Sequence, residues 1–202
     1  MGASLVKYIA LEGGDGSGKT TVSAALAIRL RSLGHEVLEV REPGGTDLGE
    51  VVRELLLDRE HVDPWAEVLL FAAQRAQLAR EVVAPALESG VWVISDRTYY
   101  SSIAYQGRAR GMGEDRVREI NEIGLDGVVP DHVFVLDVDP TTALDRQDSP
   151  DRIGKEGVEF QEAVRAAYHG LAVTEPDKVA ILDGQEGVDG IVARIIQRLG
   201  LE

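Results

Sequence analysis

Five short apolar runs punctuate the chain: Tyr8–Leu11, Val37–Val40, Val91–Ile94, Val133–Leu136 and Val179–Leu182. Most lack the apolar/polar alternation of a half-exposed strand, which suits strands buried on both faces of a parallel sheet. Between them the apolar spacing changes to that of helices. Thr21–Leu33 carries Val22, Ala25, Leu26, Ile28, Leu30 and Leu33 and is closed by Gly34; a second helical pattern runs through Leu48, Val51, Val52, Leu55 and Leu56. Asp63-Pro64 reads as an N-cap followed by proline in the first turn, opening a helix from Trp65 towards Leu87 whose end Pro85 bends. Further helices are expected at Tyr99–Tyr105, Glu114–Leu125, Thr141–Arg146, Val158–Ala172 and Val188–Leu199. Gly107–Gly113 reads as a glycine- and arginine-rich loop, and Gln147–Gly157 as a polar interruption. Strands alternating with helices predict an α/β fold with a parallel sheet, in one domain spanning residues 1–202.

The first apolar run leads into Gly13-Gly14-Asp15-Gly16-Ser17-Gly18-Lys19-Thr20, followed by Thr21. This matches G-x-x-x-x-G-K-[ST], in which backbone N–H groups and a helix N-terminus converge on phosphate oxygens. Lys19 supplies a cation to a nucleoside triphosphate, here taken to be ATP, and Thr20 a hydroxyl for Mg²⁺. Asp96, two positions past the end of the third run, is placed like the carboxylate that holds Mg²⁺ through water, which makes Thr20 and Asp96 the candidate metal residues. Arg97 beside it is a candidate ligand for an acceptor phosphate.

The formal charge of −14 argues against a nucleic acid polymer as partner, because proteins that track phosphate backbones carry basic faces. Small phosphorylated ligands need only a local cluster. Seventeen of the 21 basic residues are arginines, suited to bidentate phosphate contacts, and several fall within short motifs. No apolar run approaches the roughly 20 residues of a membrane helix. The start, Met1–Val6, carries neither a secretory segment nor a myristoylation signal, and the chain has no cysteine, so a cytoplasmic location is expected. His35, His61, His132 and His169 are scattered without ligand-like spacing and are assigned no role.

Ligands of open parallel sheets sit beyond the carboxyl ends of the strands. Four polar motifs converge there: the phosphate loop, Arg41–Thr46, Asp96-Arg97, and the segment containing Arg146 and Arg152. Read together, these residues resemble the bacterial thymidylate kinases. The likeness rests on Glu12-Gly13 running into the phosphate loop, Arg41-Glu42-Pro43-Gly44-Gly45-Thr46, Leu70-Phe71-Ala72-Ala73-Gln74-Arg75, Asp96-Arg97, Ala104-Tyr105-Gln106-Gly107 and Pro150-Asp151-Arg152-Ile153, in family order. It implies a three-layer P-loop fold with strand order 2-3-1-4-5, ATP-dependent phosphorylation of dTMP to dTDP with Mg²⁺, and a homodimer formed through helices on one side of the sheet.

The resemblance also implies residue roles. Phe71 lies against the thymine face, and Arg75, one turn later on the same helix face, reaches its O4 edge. Asp15 meets the sugar 3′-hydroxyl and Arg97 the 5′-phosphate. Ser102 and Gln106 face the base, Tyr105 crowds a 2′-hydroxyl, and Arg41, Glu42 and Pro43 complete the acceptor side. Gln147–Gly157 corresponds to a lid. Because Gly14–Ser17 contain no arginine, the lid is expected to bring the cation that stabilises the transferring phosphoryl group, with Arg152 the first candidate and Arg146 the second. Gly154 stands where the family has a glutamate, and Glu156 is the candidate replacement. Two other readings stay open: a kinase for another nucleoside monophosphate such as dUMP or UMP, and a P-loop ATPase acting as a switch or partitioning protein.

Overall fold

A computed structural model describes residues 7–146 and 152–201; Met1–Val6 and the lid residues Gln147–Asp151 lie outside the described residues. Five strands, β1 (Tyr8–Glu12), β2 (Val37–Arg41), β3 (Trp92–Asp96), β4 (His132–Asp137) and β5 (Val179–Asp183), form one sheet. Every pairing is parallel and the order is β2-β3-β1-β4-β5, as the resemblance implied. The chain passes from β1 to one edge and later returns to the other side of β1. The point where the order reverses therefore lies beside the end of β1, where parallel sheets open a crevice.

The helices are α1 (Lys19–Ser32), α2 (Asp47–Leu57), α3 (Pro64–Leu78), α4 (Ala84–Glu88), α5 (Tyr99–Ser102), α6 (Glu114–Leu125), α7 (Pro140–Asp145), α8 (Val158–Thr174) and α9 (Val188–Arg198). The twofold period of the strands divides them between two cores. Ile9, Leu11, Trp92, Ile94, Phe134 and Leu136 pack with Leu26 and Leu30 of α1 and Ile195 of α9. On the opposite face, Ala10, Val133 and Val135 pack with residues of α3, α5, α6 and α8, among them Phe71, Tyr100 and Tyr168. Three layers result. Among the described residues no helix is long and apolar enough to cross a membrane.

Asp63 caps α3 as expected, its Oδ1 accepting from Trp65 N at 2.9 Å, and the Thr46 hydroxyl caps α2 from Gly49 N at 2.9 Å. Each such cap contributes about 1 kcal/mol. The long helix from Pro64 is not uniform: a wide π turn at Ala79–Val83 precedes Pro85, which lacks the N–H a regular helix would use there. The expected loop at Gly107–Gly113 needs correction. A second π segment, Ile103–Ala109, carries the helix through Gly107, and Arg110 N donates to Tyr105 O at 2.9 Å. The glycine is there for proximity rather than for a break: a Cβ on Gly107 would lie 3.0 Å from Glu114 Cα at the start of α6.

Candidate active site

The loop joining β1 to α1 requires glycine at two positions for distinct contacts. Gly13 has φ +135° and a Cβ there would meet the Leu136 carbonyl at 2.6 Å; Gly16 has φ +80° and a Cβ would meet the Ala143 carbonyl at 2.2 Å. Backbone conformation and close approach to β4 and α7 both exclude a larger residue. Lys19, buried at the start of α1, folds back on the loop, its Nζ donating to Gly14 O at 2.8 Å and Gly13 O at 3.3 Å. Burial, reinforced by Arg97, lowers its ammonium pKa to about 8 against the opposing pull of Asp96, Asp15 and Glu12. Thr20 Oγ1 donates to Asp96 Oδ2 at 2.7 Å, across the gap between the loop and the end of β3.

A cavity of about 440 Å³ opens above this loop, of a size that suits small-molecule ligands. Asp15, Gly16 and Gly18–Thr21 of the loop line it together with Arg41–Pro43, Phe71, Asp96, Arg97, Ser102, Tyr105 and Gln106. Arg146 also faces it. The strand ends explain the convergence, since β1, β2 and β3 deliver the loop, the Arg41 turn and Asp96-Arg97 to the same edge. Gly13, Gly14 and Ser17 lie off the cavity: the two glycines border a narrow crevice against Leu136 and Gln161, and Ser17 is buried.

Arg97 is the most constrained residue of the site. It has φ +74°, in the left-handed region that non-glycine residues seldom occupy. Its guanidinium pairs with the Asp15 carboxylate and donates to Gly13 O and Ser101 Oγ, each at 3.1 Å, while lying 5.2 Å from the Tyr105 ring centroid. Burial would raise the Asp15 carboxyl pKa, but Arg97 and Lys19 hold it below the usual carboxylate value. Arg41 is bound to Glu50 at 3.0 and 3.1 Å, and Glu50 also accepts from Gly45 N at 2.9 Å.

Two predicted arginines also stand off the cavity wall. Arg75 is buried behind it, its guanidinium pairing with Glu42 and Asn121 and donating to Ser102 Oγ at 3.3 Å and Thr98 O at 3.2 Å. Arg152 does not line the cavity: it donates to Leu56 O at 3.0 and 3.1 Å and pairs with the buried carboxylate of Glu67. The structure thus brings Arg146, and not Arg152, together with the phosphate loop.

A family model described as thymidylate kinase matches residues 11–195. Relatives named thymidylate kinase include one from Leifsonia xyli, 46% identical over 197 residues, covering 95% of this chain and 93% of the relative. Another from Thermosipho africanus is 44% identical over 191 residues, covering 93% and 94% respectively. A third, from Clavibacter sepedonicus, is 43% identical over 196 residues, covering 95% and 93%. The chain belongs to the thymidylate kinase family.

Two residues at or behind the cavity were given no role by the short motifs of this thymidylate kinase family member. Arg53 lines the cavity and donates to Pro43 O at 2.8 Å; one arginine in a helical pattern carries no signal of this. Glu12 is fully buried beneath Arg97, accepting from Thr98 N at 2.7 Å, Thr98 Oγ1 at 2.8 Å, Ser101 Oγ at 2.6 Å and Tyr168 OH at 2.7 Å. An acidic residue ending an apolar strand was a usable signal, because a buried carboxylate needs several donors. Among the described residues no group of three or more His, Cys, Asp or Glu side chains is gathered to hold a metal. Thr20 and Asp96 do fit a hard cation, since they place two oxygen donors together at the cavity; Mg²⁺ bound this way draws its remaining ligands from water and substrate phosphates.

Proposed function

We infer that the chain transfers the γ-phosphoryl group of ATP to dTMP, giving dTDP and ADP. The observation that carries this reading is one cavity lined both by the phosphate loop and by Phe71, Ser102, Tyr105 and Gln106, in a chain of this family. Asp15, Gly16 and Gly18–Thr21 cradle the triphosphate, Gly13, Gly14 and Ser17 shape the loop from behind, and Lys19 neutralises it. Mg²⁺ beside Thr20 and Asp96 supplies further charge neutralisation when bound. Arg97, freed from Asp15 by a competing phosphate, meets the acceptor's 5′-phosphate, and Asp15 turns to the 3′-hydroxyl. Arg41, Glu42, Pro43 and Arg53 close the acceptor side. No general base is required, because the attacking phosphate oxygen is already ionised and the reaction depends on position and charge.

At the base, Phe71 offers a ring face, and Tyr105 crowds the position of a 2′-hydroxyl. Ser102 Oγ accepts from Arg75, so its own proton is directed to another acceptor, which the thymine O4 provides. Arg75 therefore acts on the base edge through Ser102. Arg146, on the cavity wall, stabilises the transferring group, while Arg152 anchors the second half of the lid segment to Glu67. The whole chain works as one kinase domain in the cytoplasm. A homodimer forms through the exposed apolar face of α2, α3 and α6, where Leu48, Val51, Leu69 and Ile123 are 45–77% exposed.

The test is ADP release measured across dTMP, dUMP, UMP, CMP and AMP. The highest kcat/KM is expected with dTMP; higher values for another monophosphate would replace the acceptor assignment. ATP hydrolysis indifferent to all five would replace the kinase reading with that of a nucleotide-gated switch.

A further inference from the structure

Glu67 is a buried acid outside the cavity, 1% exposed, and it holds three side chains from two other parts of the chain. Its Oε1 accepts from Gln106 Nε2 at 2.8 Å and from Arg110 Nε at 2.9 Å; its Oε2 pairs with Arg152. Arg110 in turn pairs with Glu156 at 2.8 Å and lies 5.2 Å from the Phe160 ring centroid. One carboxylate of α3 thus joins Gln106, on the cavity wall, to Arg110 and to Arg152 in the second half of the lid segment.

We propose that Glu67 is a positioning residue for acceptor specificity: it fixes the side-chain amide of Gln106 so that the carbonyl oxygen, not the NH₂, is presented to the base. The proposal rests on the reading of the cavity as a dTMP kinase site. As counter-charge to two guanidinium groups, the Glu67 carboxylate can only accept hydrogen bonds. Gln106 must turn its NH₂ to Glu67, and its Oε1 is left without a hydrogen-bond partner among the described residues while the side chain lines the cavity. An amide oxygen in that place pairs with the N3–H of thymine or uracil and faces the lone pair of cytosine N3 unfavourably. The amide orientation is therefore set one residue away from the ligand, and the same carboxylate ties it to Arg152.

The experiment compares kcat/KM for dTMP and dCMP in the wild type, Glu67→Gln, Gln106→Ala and the double variant. In Glu67→Gln the neutral amide accommodates either orientation of Gln106. The dTMP:dCMP ratio is expected to fall by at least about tenfold, the scale of one unsatisfied buried polar group, with KM for ATP within about twofold of wild type. Adding Glu67→Gln to Gln106→Ala should change the ratio no further. A purely structural role would lower both acceptors together, so an unchanged ratio in folded Glu67→Gln overturns the proposal. Should that variant fail to fold, a dTMP complex of the wild type decides: Gln106 Oε1 within hydrogen-bond distance of N3 is expected, and a base edge beyond its reach overturns it. Wild-type inactivity towards dTMP would instead remove the reading of the cavity on which the proposal stands.

Discussion

Lys19 makes a quantitative prediction about ATP binding. In the ligand-free protein burial lowers its pKa to about 8, and its Nζ is held by backbone carbonyls rather than by a carboxylate. A triphosphate placed over the loop adds several negative charges, which favour the ammonium and return its pKa to the ordinary range for lysine or above. Binding must then take up a proton from solvent. With a free-state pKa of about 8, the neutral fraction is about 0.1 at pH ~7, about 0.5 at pH ~8 and about 0.9 at pH ~9, and the uptake should follow these values.

Titration calorimetry in two buffers of different ionisation enthalpy measures the uptake directly, since its contribution to the apparent binding enthalpy scales with that of the buffer. Lys19→Arg keeps the cation but cannot deprotonate in this range, so its uptake should be near zero throughout. Equal uptake at pH ~7 and pH ~9, or undiminished uptake in Lys19→Arg, would refute the assignment. The same shift affects stability with a definite sign. A lysine whose folded pKa is depressed binds fewer protons folded than unfolded between about pH 8 and pH 10.5, so its contribution becomes more favourable as pH rises through that window.

Other perturbations test the remaining parts. Lys19→Ala should retain less than about a tenth of wild-type turnover with saturating ATP and dTMP, measured by ADP release. Arg146→Met should lower kcat at least about a hundredfold with KM for dTMP little changed, whereas Arg152→Met should act mainly on thermal stability; the reverse pattern would return the transfer role to Arg152. Arg75→Met leaves the buried Glu42 carboxylate without its guanidinium and should destabilise by about 3–5 kcal/mol, a fall in Tm of roughly 6–20 °C by scanning calorimetry. Leu69→Asp with Ile123→Asp should convert dimer to monomer in sedimentation velocity, and an unchanged sedimentation coefficient would exclude that face.

The apolar runs made the sheet legible because strands buried on both faces need no polar alternation; all five strands differ from the runs at their ends by one or two residues. Gly107 was misread because glycine marks both chain reversal and close packing, and only the neighbouring Glu114 distinguishes them. In the site, short motifs located the cavity walls but not the layer behind them. Phe71 and Arg75 share a helix face, as their spacing requires, yet Glu42, Asn121 and Thr98 draw the guanidinium away from the cavity. Those partners come from three separated segments, and no local pattern encodes their meeting. Arg152 diverges for the same reason: its position is set by Glu67, 85 residues away in sequence.

The acidic excess and the phosphate chemistry are compatible because charge is segregated. The cavity is lined by five cations, Lys19, Arg41, Arg53, Arg97 and Arg146, against three carboxylates, Asp15, Glu42 and Asp96, in a chain whose formal charge is −14. A long polyanion must cross the acidic exterior as well as touch this cavity, whereas a mononucleotide needs only the cavity. Two of them already have carboxylate partners, Arg97 in Asp15 and Arg41 in Glu50. An incoming phosphate therefore exchanges partners rather than meeting bare charges. On the proposed roles, a phosphate that took Arg97 would release Asp15 towards the acceptor's sugar, so that occupation of the 5′ side would prepare the 3′ side. An acceptor lacking either group gains only half of that exchange.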